Sequence, residues 1–66
     1  MKIEKKWKEW CVIVKTDDND LGDLLEDEAK SYAENHVNAI DKHHRWEVVD
    51  AERLNYDRVK VYLEPI

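Results

Sequence analysis

Seven carboxylates fall within the twelve residues from Asp17 to Glu28: Asp17, Asp18, Asp20, Asp23, Glu26, Asp27 and Glu28. Fixed by a helix start, such a run presents closely spaced negative charge, as a nucleic-acid backbone does. It would suit a basic channel on a protein that handles nucleic acid. The same stretch matches part of a calcium loop, with Asp17, Asn19, Gly22 and Glu28 at positions 1, 3, 6 and 12 and Leu24 at position 8. Leu21 stands at position 5, where a ligand is needed, and the residues before the loop have the character of a strand, not a helix. An acid-rich helix N-terminus explains the run without an ion, so no metal and no cofactor is expected.

The other reactive side chains are sparse. His36, His43 and His44, with Cys11 or Asp41, invite a zinc reading. His36 lies two helical turns from the other two histidines, however, whereas zinc ligands come as tight i, i+4 or Cys-x-x-Cys pairs. Cys11 with a histidine is the one candidate nucleophile pair. A cysteine in the middle of a strand is an ordinary packing residue. Ser31 falls in mid-helix and no glycine-rich loop exists. A domain this small has little room for a substrate cavity, so no catalytic residue is assigned and a binding role is expected. Lys2, Lys5, Lys6 and Lys8, interleaved with Trp7 and Trp10, resemble a stacking platform for single-stranded nucleic acid. A net charge of −5 argues against direct nucleic-acid binding, and lysines also serve to protect an edge strand.

These groups must be positioned by a short chain. Its 66 residues make one domain, residues 1–66, near the lower limit of size for independent folding. Cys11 is the sole cysteine, which excludes a disulfide within the chain and fits a reducing, cytoplasmic setting. The longest apolar stretch, Trp10 to Val14, is far short of a membrane span, and the first residues form no apolar leader. Charge is uneven. Residues 1–15 carry five lysines against two glutamates, residues 16–41 nine acids against Lys30, and residues 42–66 five of each sign.

Hydrophobic pattern gives the elements. A strand is expected from about Lys6 to Thr16, with Trp10, Val12 and Val14 on one face and Trp7, Cys11 and Ile13 on the other. Both faces are apolar, so the face away from a helix needs a cover: a partner, a second copy, or the N-terminal segment folded back. Asn19 or Asp20 is placed to cap a helix running from about Leu21 to His43. Leu21, Leu25, Tyr32, Ala33, His36, Val37 and Ile40 form its apolar stripe, with Leu24 and Ala29 beside them, and Lys42, His43, His44 and Arg45 close its last turn. A hairpin follows, with strands Trp46–Arg53 and Arg58–Leu63 joined at residues 54–57 and terminated by Pro65. The expected fold is α+β: strand, helix, strand, strand, in a three-stranded, mostly antiparallel sheet with one long helix on one face.

Thr16-Asp17-Asp18 at the end of a strand, an acidic helix containing alanines, and Arg45-Trp46-Glu47-Val48-Val49 opening the last hairpin resemble the pattern of small phage-encoded inhibitors. These include inhibitors of bacterial RNA polymerase and anti-CRISPR proteins. The resemblance covers the element order over most of the chain and transfers no individual residue. It implies a compact acidic protein in the host cytoplasm that blocks a nucleic-acid-handling machine. The expected partner is then a protein with a basic groove, met by Asp17, Asp18, Asp20, Asp23, Glu26, Asp27 and Glu28, with Trp7 or Trp10 as anchor. The alternative is a self-associating structural protein, a homodimer that joins second sheet faces or pairs edge to edge across the first strand.

Overall fold

A computed structural model of the chain describes residues 1–7, 10–16 and 25–66, with the backbone alone at 5–7. Two strands, β1 (Lys2–Trp7) and β2 (Cys11–Lys15), precede the helix α1 (Glu26–Ile40), and two more, β3 (Trp46–Asn55) and β4 (Arg58–Pro65), follow it. They form one four-stranded sheet in the order β1-β2-β4-β3, antiparallel throughout. The α+β class is as expected. The three-stranded sheet and the strand-helix-strand-strand order are corrected, because residues 6–16 do not make one strand. The chain reverses near Trp10, which holds a positive φ of 57°, and Trp7 pairs back onto Cys11. The last strand also adds in an unforeseen place. β4 inserts between β2 and β3, and its ladder is carried beyond β2 at both ends, by Leu63 N–H to the Trp10 carbonyl at 2.9 Å and by Thr16 N–H to the Asp57 carbonyl at 3.1 Å.

Strand alternation puts Val12 and Val14 of β2, Trp46 of β3, and Val59, Val61 and Leu63 of β4 on the face that meets the helix, and all are buried. The helix answers with Ala29, Ala33 and Val37, small residues that let its backbone approach the sheet closely. The expected stripe is therefore narrower than the pattern implied. Leu25 and Ile40 are 58% and 61% exposed, and Tyr32 and His36 sit at the margin. Leu21 and Leu24 lie outside the described residues, as do Asn19 and Asp20. The helix begins after Leu25, an extended residue that supplies no side-chain cap. Glu26, Asp27 and Glu28 in the first turn favour the positive end of the helix dipole instead.

The C-terminal end is a second correction. The helix stops at Ile40, and Lys42, His43, His44 and Arg45 belong to the following loop. Two side chains make that stop. Asn38 accepts a hydrogen bond from Trp46 N–H at 2.7 Å and donates one to the Trp46 carbonyl at 3.2 Å, as a neighbouring strand would. Asp41 accepts from the Trp46 indole N–H at 3.1 Å and from His43 N–H at 3.0 Å. The loop is thus drawn onto the sheet instead of continuing the helix.

The face away from the helix does not need a cover from outside the chain. Cys11 and Ile13 project there, yet they are 1% and 7% exposed. Their β4 neighbours in register, Tyr62 and Lys60, are half-buried beside them. The N-terminal segment contributes by pairing at the sheet edge as β1. All three register irregularities fall on the outer strands, at Glu4 in β1 and at Val49 and Leu54 in β3, and the central β2–β4 ladder has none. Bulges there disrupt the row of free backbone groups that would otherwise recruit another strand.

Val61 lies in mid-ladder and is fully buried, so Val61→Ala should cost about 2 kcal/mol in urea unfolding. Ile40→Ser should cost less than about 0.5 kcal/mol. Comparable losses at the two positions would contradict the narrow stripe.

Candidate functional site

The carboxylates singled out in the sequence divide into two groups. Glu26, Asp27 and Glu28 form the first turn of α1, and all three are exposed. Glu26 Oε1 lies 3.8 Å from Arg53 Nε on β3, an exposed pair of the kind that contributes little. Asp17, Asp18, Asp20 and Asp23 lie outside the described residues, and with them most of the calcium-loop match. What is described of that match is Glu28, in the helix. The acids of the first turn border an open depression lined by Met1, Asp27, Glu28, Ser31, Tyr32 and Asn35. It is a shallow dip in the surface, unlike an enclosed substrate cavity.

The aromatic candidates stand elsewhere. β2 and β3 run parallel to each other on either side of β4, and α1 runs back between them. This topology puts the helix start beside the β3–β4 turn, at one end of a body 36 Å long. Trp10 is at the other end, half exposed, with its ring edge-on to Trp46 at 5.7 Å and 72°. Trp7 pairs with Cys11 at that same end through its backbone. A positive φ is rare for so bulky a residue. It is held here by the Leu63 hydrogen bond and the Trp46 contact.

The remaining candidates have local roles. Cys11 is buried in the sheet, on the face away from the helix. His36 stacks on Tyr32 at 6.5 Å between ring centroids. His43 and His44 are exposed in the loop, and His44 Nδ1 lies 3.4 Å from Asp41 Oδ2. Among the described residues, no three histidines, cysteines or acids are grouped as metal ligands would be. None of the described helices is long and apolar enough to cross a membrane.

Electrostatics single out two carboxylates: Asp41, which the sequence offered only as a metal ligand, and Glu4, which it did not offer. The Trp46 indole hydrogen bond is the main cause that holds the Asp41 carboxyl below the usual carboxylate range. Desolvation opposes it, while His43 N–H and His44 add to it. Glu4 is lowered chiefly by its 2.7 Å hydrogen bond to Arg58, against desolvation, with the charges of Arg58, Lys15 and Lys2 helping. Arg58 reaches this partner across β2. Lys2, Lys15 and Arg58 are cross-strand neighbours on β1, β2 and β4, so three cations share one row with Glu4 beside them. No pattern within any single segment signals this row. It exists because β4 closes against β2.

No protein-family model, curated protein or solved structure matches the chain.

A group whose folded pKa is depressed stabilises the fold above its unfolded pKa, near 4, and that contribution is lost as pH falls through the lower, folded value. Asp41→Asn should therefore melt below the wild type at pH 7, and the two should converge as the pH falls below the ordinary carboxylate range and through the lowered folded value. A gap that keeps its size as the pH falls would assign the effect to shape instead of charge.

Proposed function

We propose that this chain is a non-catalytic, stoichiometric inhibitor of a nucleic-acid-handling protein, and that its acidic helix start occupies a basic groove on that partner. One observation carries the reading: Glu26, Asp27 and Glu28 crowd a single exposed helical turn at one end of the domain. Asp17, Asp18, Asp20 and Asp23 precede that turn in sequence. Three acids exceed what is needed to offset one helix dipole of about half a charge, so the excess is available to a cationic partner. A basic groove on a polymerase or nuclease has that chemistry, and small phage-type inhibitors, including anti-CRISPR proteins, are the class the sequence resembles. Trp7 and Trp10 stand at the opposite end. A partner that engages both the acids and an aromatic anchor must therefore run along the long axis of the domain, as a groove does.

Self-association gains less support. Cys11 and Ile13 are buried within one chain, which removes the drive to join second faces. The bulges at Glu4, Val49 and Leu54 work against edge pairing.

The test is affinity capture of the tagged protein from nuclease-treated host lysate, followed by an activity assay of the captured enzyme. The expected result is one nucleic-acid enzyme bound near 1:1, released by moderate salt and inhibited in proportion to occupancy. Reversing Asp23, Glu26 and Asp27 to Lys should lower its affinity at least about a hundredfold without changing the melting temperature by more than a few degrees. Unchanged affinity in that variant would refute the electrostatic mechanism.

A further inference from the structure

The helix-free face of the sheet carries a feature that the acidic layer does not explain. Lys2, Lys15 and Arg58 lie side by side on three adjacent strands, a span of about 10 Å. Each alternates with a core residue, Ile3, Val14 and Val59, so all three side chains project away from the helix. Like charges directly opposite one another destabilise a sheet. Two carboxylates lie beside the row among the described residues: Glu4 is hydrogen-bonded to Arg58, and Asp57 Oδ1 stands 3.5 Å from the same guanidinium. Across β4 the row continues to Asn55, with no acid in it. In the next rows along β4 come Lys60 and Tyr62, the ammonium 5.0 Å from the ring centroid. The other acids of this face, Glu47, Asp50, Glu52 and Glu64, stand on β3 and at the far end of β4. Among the described residues no element covers the row.

We propose that this face binds single-stranded nucleic acid, with the Lys2–Lys15–Arg58 row holding the phosphodiester backbone and Tyr62 offering its ring to a base. A polyanion relieves the repulsion within the row. A flexible single strand can follow an open twisted sheet, whereas a duplex presents a wider cylinder that would also meet the β3 acids. Lys60 caps the Tyr62 ring in the free protein, and a stacking base would displace its ammonium toward the phosphates. The chain-wide charge of −5 describes this row poorly, because Glu26, Asp27 and Glu28 stand on the helix, in the other layer. The proposal is independent of the inhibitor reading, which rests on the acids of the first helical turn.

Fluorescence anisotropy with labelled single strands of about 12 nucleotides, RNA and DNA, tests it. Three phosphate contacts predict a roughly hundredfold loss of affinity between about 20 and 200 mM salt. Lys2→Gln/Lys15→Gln should weaken binding at least about tenfold and flatten the salt dependence, while Asp27→Lys/Glu28→Lys should not weaken it. Tyr62→Leu should reduce affinity for the oligonucleotides and leave inorganic polyphosphate binding unchanged. Absence of binding at low salt would overturn the proposal, and so would equal affinity of the wild type and the double glutamine variant. Equal loss of polyphosphate and oligonucleotide binding on Tyr62→Leu would reduce the site to a general polyanion surface and overturn the nucleic-acid assignment.

Discussion

Val59, Val61 and Leu63 of β4 press against Ala29, Ala33 and Val37 of the helix, and the remaining structure is arranged around that contact. β4 is hydrogen-bonded on both sides, to β2 and β3, so its removal would part β3 from the other two strands. It also follows the other described strands in sequence. The two flanking strands are separated in sequence by the whole helix, and they are joined when β4 enters between them. Such non-local closure is slow relative to local hairpins, and it leaves β2 without its inner neighbour until β4 has been made. The alanines matter for the same reason. A helix packing large side chains onto Val12, Val14, Val59 and Val61 would stand further off, and among the described elements no further layer fills the gap.

What could be read in the sequence follows from which signals are local. Val59, Val61 and Leu63 alternate with polar residues, so their strand and its buried face were plain. The helix from Ala29 to Val37 was equally clear. The reversal at Trp10 was not, because the sequence between Trp7 and Cys11 holds none of the glycine, proline or asparagine that mark turns. Trp10 adopts the positive φ itself, held by tertiary contacts that periodicity cannot register. The helix end was misplaced for a related reason. A basic cluster after Ile40 suits a helix C-terminus in general, but Asn38 and Asp41 bind Trp46 and turn the chain away first. Leu25 and Ile40 fit the stripe by spacing, yet they lie beyond the reach of the strands they would have to meet.

The candidate site was legible as composition and not as geometry. Counting carboxylates located the acidic helix start, and counting aromatics located Trp7 and Trp10. Their placement at opposite ends follows from the reversal of β1 and the direction of α1, neither of which leaves a trace in residue spacing. The Lys2–Lys15–Arg58 row is the limiting case. Its members are 13 and 43 residues apart in sequence, and they become neighbours through two separate strand pairings. Reading the N-terminal lysines alone gave an edge-protection motif. Reading them across the sheet gives a charged surface.

Net charge was the premise that argued against nucleic acid, and the architecture changes its weight. At physiological ionic strength a charge is screened over about 8 Å. Exposed acids on α1 are separated from the helix-free face by the thickness of the sheet and most of a helix diameter, about 10 Å or more. Among the described residues, an anion approaching that row therefore responds first to Lys2, Lys15 and Arg58, with Glu4 and Asp57 as the nearest opposing charges, and only weakly to Glu26, Asp27 and Glu28. The same screening keeps the acids effective toward a cationic partner on their own side. A row of cations within one face can thus present a sign of its own, and the sum of −5 describes how the molecule migrates in a field better than what that row binds.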